Sequence, residues 1–480
     1  MKPILHETKY SFKKNLSNKR KNLSKLIKNK KLLAAGILAG LVATSTESWG
    51  LNPIFTTAYT ADPAARVIDG RVYVFCSQDN PVKGGYFILK HRLYSSDDLA
   101  NWTDHGPVVK LEDVPWANSY IWAPDWIQKG DSFYYCLPAR FENETARRIG
   151  LLKSDNITGP YVSMKNYMEL DGQSGADPSF FKDDDGSVYL FWSTHGKAKG
   201  VKMKDNMEEV DGDIKFLGGD GFLMEGVSVF KHKGTYYMTY ASRKPSKRVQ
   251  YLQYATATNP LGPYTYQGIY AQNAQGAPNI HQCHLELNGE WYTFYHDTSL
   301  IYDGKMLPRD RRSVRLDKME FDEAGKIKPL VWTSTGPAPL KNLNPFETML
   351  AVTGRPQRPE QTEWSTEGNG DKPYIRILQN GTQLSYQNCD FGMHFGDKDG
   401  KAKIRIKPLQ KGKIVLHLDS VTAPPIAESP LTPSGDWQTL DLNVFRAVGV
   451  RQLILVFLAE EDPKKPICEF ETIVFENPEK

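Results

Sequence analysis

Three carboxylates stand at the head of similar stretches of this chain. Asp62 lies in Ala61-Asp62-Pro63, Asp177 in Ala176-Asp177-Pro178, and Glu225 opens the uncharged run Gly226–Phe230. Read singly, each is a solvated surface carboxylate. Brought together they cannot all ionise cheaply, because like charges at short range push their pKa values apart. One then stays an anion able to take a proton, one stays protonated and able to give one, and the third tunes the pair. A poorly solvated site favours the neutral form, so Glu225 in its uncharged run is the candidate acid. That chemistry requires the three to converge, and the elements around them must bring this about.

A short pattern recurs five times: a Gly-containing turn, then alternating aromatic and β-branched residues. The copies are Asp69–Ser77, Gly130–Ala139, Asp185–Ser193, Gly234–Ser242 and Asn288–Asp297, spaced roughly 50 to 60 residues apart. Weaker echoes between them, such as Ser95–Pro107, Lys153–Pro160 and Ala257–Pro263, read as outer strands and their turns. Several strands per unit, an even period and no long amphipathic pattern predict an all-β fold, a five-bladed β-propeller over residues 51–335. A stack of unrelated hairpins would not need even spacing. In a propeller the innermost strand opens each blade, so acids just before the turns would meet at one end of the central channel.

The repeat vanishes near Asn344. Strand-like runs at Lys403–Leu409, Lys413–Ser420 and Gln452–Leu458 predict a separate β-sandwich, a jelly roll, over residues 344–480. At the other end, residues 1–48 hold 11 Lys and Arg against Glu7 and Glu47, and a basic head runs into the apolar stretch Leu32–Ala43. This reads as a signal peptide of a secreted or periplasmic protein, the alternatives being a nucleic-acid-binding arm and an uncleaved membrane anchor. Without it the formal charge falls from +4 to −5, so no nucleic-acid partner is implied, and no membrane partner after leader cleavage. Five scattered cysteines, with no close pair, form neither a disulfide framework nor a zinc site and read as buried small hydrophobes.

Residues 52–330 resemble glycoside hydrolase family 43. The resemblance is carried by Asn52–Phe55, Thr60–Pro63, Ile121–Asp125, Gly175–Gly186, Glu225-Gly226, the His281 segment and Arg311–Val314, in this order. It implies a five-bladed propeller with Asp62 as general base, Asp177 as the residue that orients and tunes the acid, and Glu225 as general acid, in an inverting cleavage of a glycosidic bond. It also implies that His281 sits beside a calcium or other ion in the channel, a satisfied core histidine being the alternative. Trp122, Phe75 and Trp192 are candidate sugar platforms, since aromatic faces suit the apolar side of a sugar ring; burial between blades is the alternative for Trp122. Arg312 is the candidate donor to sugar hydroxyls, or else pairs inside the sheet. Cys76 and Gln78 depart from the family pattern, as does Val227-Ser228 after Glu225-Gly226.

Residues 344–480 resemble a family 6 carbohydrate-binding module, through Asn344–Thr348, Asn380–Gly392, Gly435–Leu440 and Cys468–Phe475. That likeness implies a structural calcium at Glu347 and Glu471, with exposed acids as the simpler alternative. It also leaves open whether the module binds glycan, since Leu384 and Glu469 replace typical cleft residues. No organic cofactor is expected. The expected partner is plant polysaccharide or oligosaccharide, and the expected activity is α-L-arabinofuranosidase on arabinoxylan or arabinan. A β-xylosidase and a non-catalytic glycan-binding propeller are the alternatives.

Overall fold

Hairpin turns set the strand pairs. At Asp69-Gly70, Lys233-Gly234 and Asn288-Gly289 both residues take positive φ, the turn whose twist matches that of the strands it joins. The aromatic repeats are accordingly the second strands of their sheets: Arg71–Gln78, Ser132–Phe141, Val188–Thr194, Thr235–Ser242 and Glu290–Asp297. The weaker echoes fall where the third strand of a sheet turns towards the fourth.

The computed structural model describes residues 52–480 except 84, 142–146, 171–173, 219–223, 245–248, 273–278, 299, 303–304, 307–310, 394–399 and 478–480. The expected leader, residues 1–48, lies outside the described residues. Among these residues the fold is all-β, with short 3-10 turns and no α-helix.

Five antiparallel sheets follow one another along the chain. The first holds Thr60–Ile68, Arg71–Gln78, Lys90–Ser96 and Thr103–Lys110. The second is built on Ser132–Phe141, which pairs with both Ala117–Ile121 and Asp125–Lys129. The third opens with Ala176–Lys182, the fourth with Met224–His232 and the fifth with Gln282–Leu287.

Polar bonds join successive sheets into a closed circuit. Asp125 accepts from Arg66 of the first sheet at 2.7 Å and from the Phe180 N–H of the third at 2.6 Å. Ser179 donates to the Val227 carbonyl of the fourth at 2.6 Å, and Gln282 of the fifth donates to the Gly226 carbonyl at 2.9 Å. The Asp62 N–H donates to His296 Nδ1 of the fifth sheet at 3.1 Å, completing the ring. Apolar cores fill the wedges between neighbours: Phe75, Trp126 and Tyr135 between the first and second, Cys136, Leu190 and Trp192 between the second and third, Phe230, Tyr237 and Trp291 between the fourth and fifth.

The chain ends of this part meet on the fifth sheet. Asn52 donates to the Leu316 and Thr333 carbonyls at 3.0 and 3.1 Å and accepts from the Leu316 N–H at 2.9 Å. The Ile54 and Thr60 amides donate to Val314 and Arg312. Two motifs far apart in sequence, Asn52–Phe55 and Arg311–Val314, thus lie side by side.

Beyond Met349 two further sheets enclose one apolar core that includes Leu384, Tyr386, Ile404, Leu455 and Phe470. Strands Gly400–Pro408, Gly412–Leu418 and Val450–Ala459 match the runs expected from the sequence, and burial along Gly400–Pro408 alternates as a strand with one face on the core requires. All five cysteines are free and buried.

Asn52→Ala removes the four hydrogen bonds of that side chain at the seam and leaves partly buried backbone groups unpaired. It is expected to lower the unfolding free energy by about 1–3 kcal/mol, read as a lower urea midpoint at unchanged slope.

Candidate active site

The first strands of the first, third and fourth sheets carry the same defect. Each begins with a β-bulge, between Ala61 and Ala64, between Ala176 and Ser179, and between Glu225 and Ser228. Bulges re-aim side chains at the ends of strands. At the first two the left-handed position is filled by Asp62 (φ 51°) and Asp177 (φ 50°). A non-glycine residue there costs about 1–3 kcal/mol and persists only where the surroundings enforce it. At the third, Gly226 takes the left-handed position (φ 63°), and Glu225 sits one residue earlier, opposite Ala241. The sequence reading that set all three acids at one offset is corrected to this extent.

Asp62 is buried and held by Arg312, whose Nη1 donates to its Oδ1 at 2.9 Å. The other edge of the guanidinium grips Asp79, Nε to Oδ2 at 3.0 Å and Nη2 to Oδ1 at 2.8 Å, and the Arg312 N–H adds a third bond at 2.8 Å. Burial by itself would raise the Asp62 carboxyl, but the opposing pull of Arg312 prevails and holds it well below the usual carboxylate range. Behind it, His296 accepts the Asp62 N–H on Nδ1 and faces Asn279 Oδ1 through Nε2 at 3.3 Å. A backbone amide can only donate, so this imidazole is the neutral Nε2–H tautomer; burial, then Arg312, drives its pKa well down.

Glu225 lives in the opposite environment. Burial first, and the neighbouring Asp177 carboxylate second, push its carboxyl above the ordinary value. Asp177 Oδ2 accepts the Gly226 N–H at 3.0 Å, which fixes it beside Glu225. His281 Nδ1 lies 3.7 Å from Asp62 Oδ1 and 4.0 Å from Asp177 Oδ2 and so connects the two aspartates. All three acids therefore meet at one end of the ring.

Gln250, Asp79, His296 and Gly226 complete the site; the sequence named Gly226 only within the Glu225-Gly226 motif and did not point to the other three. Gln250 Nε2 donates to Glu225 Oε1 at 2.5 Å while its Oε1 accepts the Ile280 N–H at 2.6 Å. The Ile280 amide fixes which way the Gln250 amide faces, so a donor always meets Glu225 Oε1 and the proton of the neutral acid belongs on Oε2. Nothing in the spacing around Gln250 signals this. Asp79 was findable as an acid two residues past the first aromatic repeat.

Three of the expected sugar-contacting residues are engaged otherwise. Phe75 and Trp192 are not sugar platforms: at 0% and 1% exposure they fill the wedges between sheets. Arg312, 1% exposed, spends its donors on Asp62 and Asp79 rather than on sugar hydroxyls. Trp122 keeps accessible surface, with the Arg140 and Arg147 guanidinium groups 5.9 and 5.3 Å from its ring.

Glu347 and Glu471 do not share an ion site. Glu347 lies in a turn and accepts from Asn344 Nδ2 at 3.1 Å. Glu471 accepts instead from Arg405 at 3.1 Å and Asn369 at 3.0 Å. Beside His281 the fit to calcium is also poor. That ion takes six to eight oxygens, whereas His281 offers nitrogen, Asp62 Oδ1 is taken by Arg312 and Asp177 Oδ2 by the Gly226 amide. No set of three His, Cys, Asp or Glu side chains among the described residues is arranged to hold a metal.

The family description "Glycosyl hydrolases family 43" matches residues 51–327. An arabinoxylan arabinofuranohydrolase of Bacillus subtilis is 28% identical over 472 residues, covering 85% of this chain and 89% of the relative. A solved structure of a family 43 arabinoxylan arabinofuranohydrolase from Bacillus subtilis, in complex with cellotetraose, shares the fold at a TM-score of 0.75 and 24% identity, over 89% of this chain and 97% of that one. A family 43 β-xylosidase/α-arabinofuranosidase from a compost microbial metagenome, solved with xylotriose in a calcium-free form, covers 58% of this chain and 96% of its own, at 28% identity and a TM-score of 0.52.

Removing Arg312 leaves two buried carboxyl groups without their counter-charge. Arg312→Met is expected to cost about 3–5 kcal/mol in urea unfolding, and adding Asp79→Leu should restore part of the loss, because the second change removes one of the stranded groups.

Proposed function

The chain belongs to the family 43 glycosyl hydrolases, and on that premise we propose that it is an inverting α-L-arabinofuranosidase that removes arabinose side chains from arabinoxylan. The observation that carries the reading is the split between two carboxyl groups of one site: Asp62, ion-paired with Arg312 and lowered in pKa, and Glu225, raised by burial and by Asp177. In this reading Asp62 takes a proton from the attacking water, while Glu225 gives one from Oε2 to the departing oxygen. Inversion requires room for that water, about 6.5–9.5 Å between the two carboxyl groups. Asp177 keeps the acid protonated by repulsion and positions it through the Gly226 amide. Trp122, with surface still accessible, is the remaining candidate sugar platform.

The same reading takes the ring of five sheets as a five-bladed β-propeller and the two C-terminal sheets as a β-sandwich carbohydrate-binding module, with domains at 51–335 and 344–480. It takes residues 1–48 as an export signal, and hence a secreted or periplasmic enzyme meeting plant polysaccharide. A channel ion is supported by the calcium-free description of one relative, but the donors beside His281 suit calcium poorly and no step is routed through one. β-Xylosidase activity is the second reading, favoured by that same relative, which is described with both activities. A purely glycan-binding propeller would have no use for two carboxyl groups driven apart in this way.

Glu225→Gln is expected to lower turnover of arabinoxylan side chains by about 10²–10⁴-fold, with a smaller loss on aryl arabinofuranosides whose leaving group needs no proton. Equal losses on both would remove Glu225 from the acid role. For the wild type, rate should hold until pH passes the raised pKa of Glu225 and fall above it, because the acid is then ionised. Gln250 stabilises the ionised form, so Gln250→Leu should move that alkaline limb to higher pH while lowering the maximum rate; a limb that stays put would contradict the bond to Oε1.

A further inference from the structure

We propose that Arg140 and Arg147, set over an aromatic strip beside the acid well, bind the carboxylate of a hexuronate unit carried by the same glycan as the reacting pentose. The proposal deepens the glycosidase reading of that well and rests on it.

The strip is built of three rings in sequence. Phe87 meets Tyr120 edge to face at 5.2 Å, and Tyr120 meets Trp122 at 5.4 Å. The Arg140 guanidinium lies over both Tyr120 and Trp122, 5.2 and 5.9 Å from their ring centres, and that of Arg147 lies over Trp122 at 5.3 Å. Lys83 adds a third cation at the Phe87 end, 4.5 Å from that ring. These are distances at which an aromatic face holds a cation.

Both ends of the strip are tied to the reacting groups. Tyr86 adjoins Phe87, and the Arg312 guanidinium that holds Asp62 lies over its ring at 5.0 Å. At the other end Arg147 is bonded to the approach to Asp177: its N–H donates to Ser174 Oγ at 3.0 Å, and its carbonyl accepts the Gly175 N–H at 3.1 Å. The two arginines therefore stand at the mouth of the well, on the side of the second and third sheets.

Their lack of a counter-charge sets them apart. Arg66, Arg92, Arg312 and Arg315 each meet an aspartate at 2.6–2.9 Å. Among the described residues Arg140 and Arg147 meet no carboxylate, and Arg140 Nε is buried without a hydrogen-bond partner. A buried donor of this kind is unfavourable until something supplies an acceptor. Guanidinium groups held on aromatic faces keep their edge donors for a planar pair of oxygens, which a carboxylate provides.

A neutral pentose has no use for such a pair, so the anion belongs to another part of the glycan. Outside residues 1–48 the chain is net negative, and the strip is a local cationic feature rather than part of a basic surface that would attract any polyanion. A single acidic sugar on an otherwise neutral polymer matches that pattern, and uronates are the acidic sugars that accompany pentoses in plant cell-wall glycans.

The test compares ligands that differ only in charge, on the full chain in a Glu225→Gln background that excludes turnover. An arabinose-substituted xylo-oligosaccharide bearing one glucuronic acid is expected to bind about tenfold more tightly than the same oligosaccharide with its carboxyl reduced to the alcohol, and added salt is expected to narrow the gap. Arg147 is exposed, so Arg147→Met alters the site without touching a core; it is expected to cut the preference about threefold, and Arg147→Lys to keep part of it. Arg140→Met combined with Arg147→Met is expected to abolish it. With Glu225 restored, the ratio of kcat/KM on glucuronic-acid-bearing arabinoxylan to that on the carboxyl-reduced polymer is expected to fall in parallel. Equal binding of the two oligosaccharides, or a preference untouched by Arg147→Met, would overturn the site. Trigalacturonic acid serves as the pectic probe: binding that depends on the same arginines would assign the uronate to a pectic main chain, and no binding would assign it to a xylan substituent. Failure to hydrolyse any aryl pentoside would instead sink the glycosidase reading, while the calorimetry would still decide whether the arginines take a uronate.

Discussion

The Arg312 guanidinium, shared between Asp62 and Asp79, is the interaction on which both fold and site depend. It reaches from the last strand of the fifth sheet to the first sheet, the two ends of the chain segment that forms the ring. A buried ion cluster of this kind is weak evidence for stability in itself, because desolvation offsets most of the attraction. Its value is geometric: a planar fork with fixed donor directions accepts two carboxylates in only one arrangement. The seam therefore closes in one register, and Asp62 is held in a left-handed conformation that its own backbone would not choose.

That closure also decides the electrostatics. At Asp62 the buried arginine outweighs burial and lowers the carboxyl's pKa, whereas at Glu225 burial and the Asp177 neighbour raise it. The ring supplies both settings by drawing the partners from different sheets: arginine from the fifth for Asp62, aspartate from the third for Glu225, with Gln250 and the Ile280 amide fixing which oxygen is left to carry the proton. No single sheet contains the whole arrangement, and loss of any one seam would scatter it.

Much of this was legible in the chain because the repeat is written in turn chemistry and alternation. Asp69-Gly70 and Asn288-Gly289 dictate tight hairpins, and strands such as Val188–Thr194 follow from period-two patterning that only a sheet can use. The convergence of Asp62, Asp177 and Glu225 could be inferred from their place before those turns. Which aromatic side chains face solvent could not. Phe75 and Trp192 sit on strands buried on both faces between neighbouring sheets, where alternation carries no inside-or-outside information. For Arg312 the choice between sugar hydroxyls and internal pairing stayed open for a related reason: its two partners lie more than 230 residues away in sequence. Glu347 and Glu471 looked like a pair, but each is engaged by other partners, Asn344 for the first and Arg405 and Asn369 for the second.

The one-residue offset at Glu225 shows how the site accommodates a longer acid. Two aspartates occupy the left-handed position of their bulges directly, and a glutamate there would carry its carboxyl one methylene further into the ring. Glu225 instead stands one step back on the strand, paired with Ala241, and the left-handed position passes to Gly226. Glycine meets two demands at that point. It takes φ 63° without a side-chain penalty, and it leaves room for His281, whose ring would lie 3.3 Å from any added side-chain carbon. The same residue's N–H holds Asp177 and its carbonyl accepts from Gln282. The glycine after the acid is therefore what lets a glutamate and two aspartates from three strands, and a histidine from just before a fourth, approach one another, and the Glu225-Gly226 pair is one structural unit.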